Sequence, residues 1–433
     1  MPRTIKNFSV DNIQRFKQQL LLWSQQFETI LWLDSNNYKQ QYGNFDCALA
    51  LEEFTSIKTD YLNAFEKLKE YQTITKDYIF GYISYDVKND VEQLSSKNFD
   101  GLDFADLYFF QPQKLFFIKG NTIEFHYLKM VDDEIEDDFE AIKKHENSKP
   151  QESENDIKIK LRIHKDEYHA KVNKVLDHIK RGDIYEANFC QEFYAENAEI
   201  NPLKVYTHLN DISTPPFATF FKMEHQYVLS ASPERYIKKE GNKIISQPIK
   251  GTAKRLRSKV DDEKIASDLS RDIKERAENV MIVDLVRNDL SKTAKIGSIK
   301  VEELCKVYTF KQVHQMISTV VSEIEETTHP VDVLQSTFPM GSMTGAPKFS
   351  AMKIIENLEE TKRGLYSGTV GYFTPENDFD FNVVIRSILY NEEKKYISYS
   401  VGSAITVKSI PEKEYEECLL KAKAMKYVLL NSK

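Results

Sequence analysis

The chain has 433 residues, 41% of them hydrophobic and 29% charged, which is enough apolar sequence for a large core and excludes a chain disordered by composition. Lys and Arg number 59 against 67 Asp and Glu, a net charge of −8, which argues against nucleic acid as the main partner because phosphate recognition needs a basic footprint. No run approaches the roughly 18 apolar residues of a membrane helix, the N-terminus lacks a signal-peptide apolar region, and Cys47, Cys190, Cys305 and Cys418 lie too far apart for zinc or redox spacing, so the expectation is a cytoplasmic protein with reduced thiols.

From Asp11 to about Phe27 the apolar residues recur at helical spacing, and Thr29–Ser35 (TILWLDS) reads as a strand ending in a turn. Tyr78–Asp86 is a second strand, apolar and aromatic on both faces, and Leu107–Phe110 and Lys114–Ile118 continue the strand-rich character. Asp132 to Asp156 is dominated by Asp, Glu, Lys, Asn and Ser, and reads as an exposed connection with room for a helical turn or two. Lys165–Arg181 carries Tyr168, Val172, Val175, Leu176 and Ile179 at helical spacing, and Gly182 closes that helix. Strands follow at Ile184–Tyr194, Tyr227–Ser232 and Lys243–Ile249, then a long helix at Asp268–Leu290 and a strand at Ile317–Glu323. A helix at Ala346–Leu358, strands at Gly368–Phe373 and Phe381–Tyr390, and a last helix at Glu412–Leu429 complete the series. Sheets and helices in mixed order, without regular βαβ alternation, indicate an α+β fold.

Four acidic residues form two matched pairs, Glu275 with Glu278 and Glu414 with Glu417, each three apart on a predicted helix. That spacing puts both carboxylates of a pair on one helix face. If the two helices face each other, hard oxygen ligands of the kind Mg²⁺ prefers converge. Each pair alone is equally an ordinary exposed helix pattern, since Glu417 stands four before Lys421. Gln247–Thr252 (QPIKGT) runs an apolar strand into Lys250, then a glycine that a ligand can approach closely, then a hydroxyl. A lysine nucleophile must lose its proton, and at its reference pKa only about 1 in 2,500 is neutral at pH 7, a deficit of about 4.6 kcal/mol. The loop STFPMGSMTGAPK packs Gly341, Ser342, Thr344 and Gly345 before a helix start whose free N–H groups suit a carboxylate. Arg386 falls inside the apolar run FNVVIRSILY, in alternation with Val384 and Ile388. A buried arginine there requires a carboxylate or phosphate partner, and an edge-strand arginine facing solvent is the alternative.

Taken together, these segments resemble the chorismate-utilising enzymes, most nearly their aminodeoxychorismate synthase component I branch (para-aminobenzoate synthase component I). The resemblance is carried, in order, by GDIYEANFCQEF, ASPERY, QPIKGTAKR, ERAENVMIVDLVRNDLS, FPMGSMTGAPKFSAMKIIENLE, RGLYSGTVGYF, FNVVIRS, VGSAIT and PEKEYEECLLKA, between Gly182 and Lys421. It implies a layered α/β/β/α sandwich. Residues 1–157 would form a flank interleaved with the core and ending in the polar connection, and residues 158–433 the chorismate-binding catalytic region. It also implies chorismate bound as a Mg²⁺ complex, with Glu278 and Glu417 nearest the metal and Glu275 and Glu414 behind them or acting through water. Glu234, in ASPERY, matches the general acid that protonates the departing C4 hydroxyl. Gly251, Thr252, Ser342, Tyr366, Arg386, Gly402, Ser403, Ala404 and Lys421 match positions that hold the substrate. TILWLDS resembles the strand forming a tryptophan pocket in relatives.

Lys250 points to the branch. Anthranilate synthases typically read PIAGT where this chain reads PIKGT, and a lysine there can add to C2 of chorismate while the C4 hydroxyl leaves, after which ammonia attacks C4. The implied activity is amination of chorismate to 4-amino-4-deoxychorismate for p-aminobenzoate and folate synthesis. Anthranilate synthase component I and a non-catalytic chorismate-binding subunit are the alternatives. Water-adding relatives carry a lysine base in the block matching YEANF, whereas this chain has Glu186 and aminating relatives commonly have Gln. Gln315 likewise stands where the family often has His, with His314 one place earlier. No cysteine sits in a glycine-flanked nucleophile turn, so a separate glutamine amidotransferase is the implied ammonia source.

Overall fold

Runs such as TILWLD and LYFFQPQKLFFIK place apolar side chains on both faces, and strands of that kind are stable only between two covering layers. The computed structural model describes residues 2–38, 41–145, 157–311 and 313–431 and shows how the layers form. The long strand Leu107–Lys119 is a branch point: its Leu107–Phe110 half pairs with Ile79–Ile83 and its Lys114–Lys119 half with Thr122–Leu128, while Cys47–Thr59 runs along its other edge. One arm continues through Thr29–Asp34, Phe217–Met223, Gln226–Ser232, Ser387–Asn391, Tyr396–Thr406 and Glu186–Ala195. The other continues through Thr369–Phe373, Phe379–Val383, Arg235–Glu240, Lys243–Gln247 and Val313–Glu323, which is flanked by Ile249–Lys254 and Lys300–Thr309. These ladders are antiparallel.

Two large apolar clusters hold the arms. Ile30, Trp32, Phe220 and Tyr399 face outward from the first arm and pack under the helices Ile13–Trp23, Lys165–Arg181, Pro202–Ser213 and Pro411–Asn431. Leu31, Phe221, Val228 and Leu389 face inward and meet Val370, Phe381 and Ile237 of the second arm. The helices Ala64–Thr75, Ile273–Ser291 and Pro330–Thr337 cover that arm from outside, with Leu68, Val283 and Leu334 in the same cluster. Helix, sheet, sheet and helix layers result, an α+β fold of the expected α/β/β/α kind.

The helix Lys165–Arg181 has the bounds its apolar stripe predicts, closed by Gly182 at φ 85°. Elsewhere local chemistry redraws the elements. The helix expected over Asp268–Leu290 is two, Lys259–Arg271 and Ile273–Ser291, because Asp272 is extended and its carboxylate accepts the Glu275 N–H as a cap. The strand expected over Lys243–Ile249 stops at Gln247, since Pro248 has no N–H to give a ladder, and resumes at Ile249. The strand expected over Phe381–Tyr390 breaks between Val383 and Ser387, with Arg386 left-handed at φ 53°, so the alternation with Val384 and Ile388 does not hold. Part of the polar stretch is ordered against the core: Ile135–Lys144 is a helix burying Ile135, Phe139 and Ile142. Residues 146–156 of that stretch lie outside the described residues. Among the described residues no helix is long and apolar enough to cross a membrane.

Candidate active site

Lys250 follows the strand break at Pro248, and the ladder to Val313–Glu323 slips between Ile249 and Thr252. Gly251 takes φ +95° at the slip, where a side chain would be strained and would press on Glu275. Asn279 reaches from the Ile273–Ser291 helix to the carbonyls of Lys250 and Met316, both at 3.3 Å, which pins the bulge to the helix. The Lys250 ammonium is mostly buried and donates to Glu186 Oε1 at 3.0 Å. Burial alone would lower its pKa, but Glu186, with Glu278 and Glu234 behind it, holds it above the ordinary lysine value.

Glu186 opens the Glu186–Ala195 strand, where Gly345–Ala346 of the glycine-rich loop pairs with Ala187 and Glu186. At Gly345 a Cβ would fall 2.2 Å from the Glu186 carbonyl, so only glycine lets the loop approach this closely. The loop also carries Ser342, whose Oγ donates to Glu234 Oε1 at 2.7 Å. Glu234 is 5% exposed, and burial pushes its pKa up to about 7, against the opposing pull of Ser342 and of Lys250. A carboxyl poised there can hold a proton at neutral pH and release it to a leaving group.

The two glutamate pairs do face each other, from the Ile273–Ser291 and Pro411–Asn431 helices, and all four act on Lys274. Lys274 Nζ lies 3.7 Å from Glu278, Lys421 Nζ lies 2.7 Å from Glu417, and Ser403 Oγ donates to Glu414. Among the described residues no three carboxylates close on one point as a formed metal cage. The donor chemistry nevertheless fits a hard divalent cation. All four are carboxylates, and burial raises the pKa of Glu275 and takes that of Glu278 to about 7, an excess of buried negative charge that such an ion relieves.

A cavity of about 450 Å³ opens beside these groups and is lined by Thr252, Gln315, Arg386 and Lys421. The guanidinium of Arg386 makes no hydrogen bond or ion pair among the described residues, and Tyr366 and Glu417 are the groups whose charges it feels. An unengaged cation lining a cavity suits a ligand carboxylate. Tyr366 OH accepts from Cys190 Sγ at 3.8 Å, and Lys421 Nζ donates to the Gly402 carbonyl at 2.8 Å, tying the Gly402–Ala404 stretch to the last helix. Contacts and charges thus link Lys250, Glu234 and Ser342, and Tyr366, Arg386, Lys421 and Gly402 with the two glutamate pairs, into one neighbourhood.

Two contributors escape sequence reasoning, Asn279 and the pairing of Glu186 with Lys250. The partnership of Glu186 with Lys250 spans 64 positions and leaves no periodic signal. Asn279 gives only a faint one, a polar residue within a helix. Strand alternation separates Gln315, which lines the cavity with its Oε1 unpartnered, from His314, which turns away to Asp262 at 3.0 Å and Thr309 at 3.0 Å. A second cavity of about 230 Å³ lies apart from Lys250, over Asp34, Arg235 and Asp380, where TILWLDS ends.

Residues 28–427 match the family model described as chorismate binding enzyme. An anthranilate synthase component I-like protein of Synechocystis is 34% identical over 349 residues, 80% of this chain and 71% of its own length. The aminodeoxychorismate synthase component 1 of Bacillus subtilis is 30% identical over 362 residues, 81% of this chain and 76% of its own. Anthranilate synthase component I from Streptococcus pneumoniae superposes with a TM-score of 0.77 at 24% identity, over 90% of this chain and 93% of that one, a likeness of fold.

Proposed function

The chain belongs to the family of chorismate-binding enzymes, and from that premise we propose that it aminates chorismate at C4 to give 4-amino-4-deoxychorismate, the precursor class for p-aminobenzoate and folate. The observation that carries this reading is the placement of Lys250, mostly buried and near enough to the proton-holding Glu234 for each to act on the other's charge. In this reaction the Lys250 amine adds to C2 while Glu234 protonates the C4 hydroxyl, which leaves as water. Ammonia then attacks C4, the C2–nitrogen bond to Lys250 breaks, and the lysine is regenerated. Arg386 and Lys421 supply positive charge for the substrate carboxylates.

Glu278 and Glu417, supported by Glu275 and Glu414, would hold Mg²⁺, which supplies charge neutralisation for a substrate carboxylate. Ammonia comes in this proposal from a separate glutamine amidotransferase, as a partner of a cytoplasmic enzyme. Relatives named for anthranilate synthesis are as similar overall, and Lys250 is the feature that favours C4 amination over that route.

The test is product identity. Purified protein given chorismate, Mg²⁺ and ammonium should yield a C4-aminated product that an added lyase converts to p-aminobenzoate. Anthranilate as the product would refute the assignment, and no turnover with either ammonium or an amidotransferase would favour a non-catalytic role.

A further inference from the structure

We propose that Glu186 is the proton acceptor for Lys250, taking the ammonium proton directly and so releasing the amine for attack; the inference rests on the C4-amination reading above. Glu186 is the one carboxylate among the described residues within ion-pair distance of Lys250, Oε1 to Nζ at 3.0 Å. The Glu186 side chain is 1% exposed and that of Lys250 13%, so the carboxylate is the base nearest to hand. The second carboxylate oxygen, Oε2, is buried with no hydrogen-bond partner, so among the described residues the Lys250 ammonium is the one hydrogen-bond donor to this side chain.

Other charged groups face Lys250 from each element packed around it. They are Glu234 from the turn after Gln226–Ser232, Glu275 and Glu278 from the Ile273–Ser291 helix, and Glu417 from the last helix. These four act through space, beyond ion-pair distance, and cannot take the proton directly. Glu234 is moreover engaged by Ser342 and already has a proton to give. The steps balance. Lys250–NH₃⁺ and Glu186–COO⁻ become Lys250–NH₂ and Glu186–COOH. The amine electron pair then forms the bond to C2, and the C4–O bond breaks with the Glu234 proton leaving on water. After ammonia bonds to C4 and the C2–nitrogen bond to Lys250 breaks, the protons on the new C4 amine and on Glu186 restore Glu234 to its acid form and Lys250 to its ammonium, with Glu186 again a carboxylate.

The proposal also accounts for an acidic residue at this position. In a buried site an unpaired carboxylate is costly, and the lysine opposite makes the charge useful.

The test compares Glu186→Gln, which keeps shape and loses basicity, with Glu186→Asp, which keeps basicity. Both are assayed for C4 amination at saturating chorismate, Mg²⁺ and ammonium between pH 7 and pH 9.5. Taking the ratio of variant to wild-type rate at each pH cancels the change in free ammonia. Glu186→Gln should lower kcat about 100-fold at pH 7 with KM for chorismate within about twofold, the size of a general-base effect. Its rate ratio should then climb with pH, by at most about tenfold per unit, as solvent takes over deprotonation, and level off once pH passes the Lys250 pKa, which burial lowers when Glu186 is gone. Glu186→Asp should recover most of kcat with a flat ratio. A flat ratio in Glu186→Gln, or a loss confined to KM, would overturn the proposal. If Glu186→Gln does not fold, the Asp variant decides, since a pH-dependent ratio there also overturns it. Lys250→Ala, run in parallel, separates the two claims. If it aminates C4 normally, the C4-amination mechanism fails; if it is inactive while Glu186→Gln behaves as wild type, only the role of Glu186 fails.

Discussion

Between the Tyr396–Thr406 strand and its covering helices the packing is largely apolar: Ile397, Tyr399, Val401 and Ile405 meet Cys418, Ala422 and Met425 of the last helix, with the polar ties of Ser403 to Glu414 and of Lys421 to the Gly402 carbonyl at its site end. Around Lys250 the apolar packing shrinks to a cluster of Leu269, Cys305 and Met316. The rest of that lobe is tied by polar contacts: Lys250 to Glu186, Asn279 to two strand carbonyls, and His314 to Asp262. The first region owes its stability to buried area, which no ligand can rearrange. The second owes its shape to ion pairs and hydrogen bonds, which reward one arrangement of charge and respond when that charge changes. A site that must pass protons and accept an anionic substrate needs the second kind of construction, held in place by the first.

Substitutions on the two sides should therefore separate activity from stability. Lys250→Ala should reduce C4 amination by about 10³-fold or more, with the thermal midpoint lowered because Glu186 is left buried without its partner; steady-state assays, taken per folded molecule, and a melting curve separate the two. Phe220→Ala should touch stability alone. Phe220 is fully buried against Tyr206 and Trp32, and its loss should cost about 3–5 kcal/mol in urea unfolding while activity per folded molecule stays near wild type.

Glu234→Gln should reduce turnover about 100-fold and carry a signature in pH. The folded pKa of Glu234, about 7, lies above its unfolded value, so the stability from its neutral form is fully present at acid pH and is lost as pH rises through 7. The glutamine variant has no such loss. Its advantage over wild type should grow from near zero at about pH 4.5 to the order of 3 kcal/mol above pH 7, read from urea midpoints across that range. Met316→Ala should have the smallest effect, about 2 kcal/mol, because a thin cluster collapses more readily than a close-packed one. Amide exchange should quicken in 250–310 and remain unchanged in the Tyr396–Thr406 strand.

The same contrast governs what could be read from the amino acids. The Lys165–Arg181 helix follows its apolar stripe from end to end, because burial of area is periodic and periodicity is visible. The motif residues were legible one by one through their resemblance, and the Glu275/Glu278 and Glu414/Glu417 pairs through spacing. Asp272, Pro248 and Arg386 were not, since each breaks an element by local capping, a missing N–H or a left-handed turn within an apolar pattern that runs on across it. The pairing of Glu186 with Lys250 was out of reach, because a charge finds its partner in space and nothing in either segment encodes the distance.

The account turns on a covalent bond between Lys250 and the substrate. Mixing the protein with chorismate and Mg²⁺ in the absence of ammonia, quenching in acid and mapping peptides by mass should reveal chorismate less water attached at Lys250, with the adduct absent in Lys250→Ala. No adduct at any time point, together with C4 amination by Lys250→Ala at the wild-type rate, would contradict it.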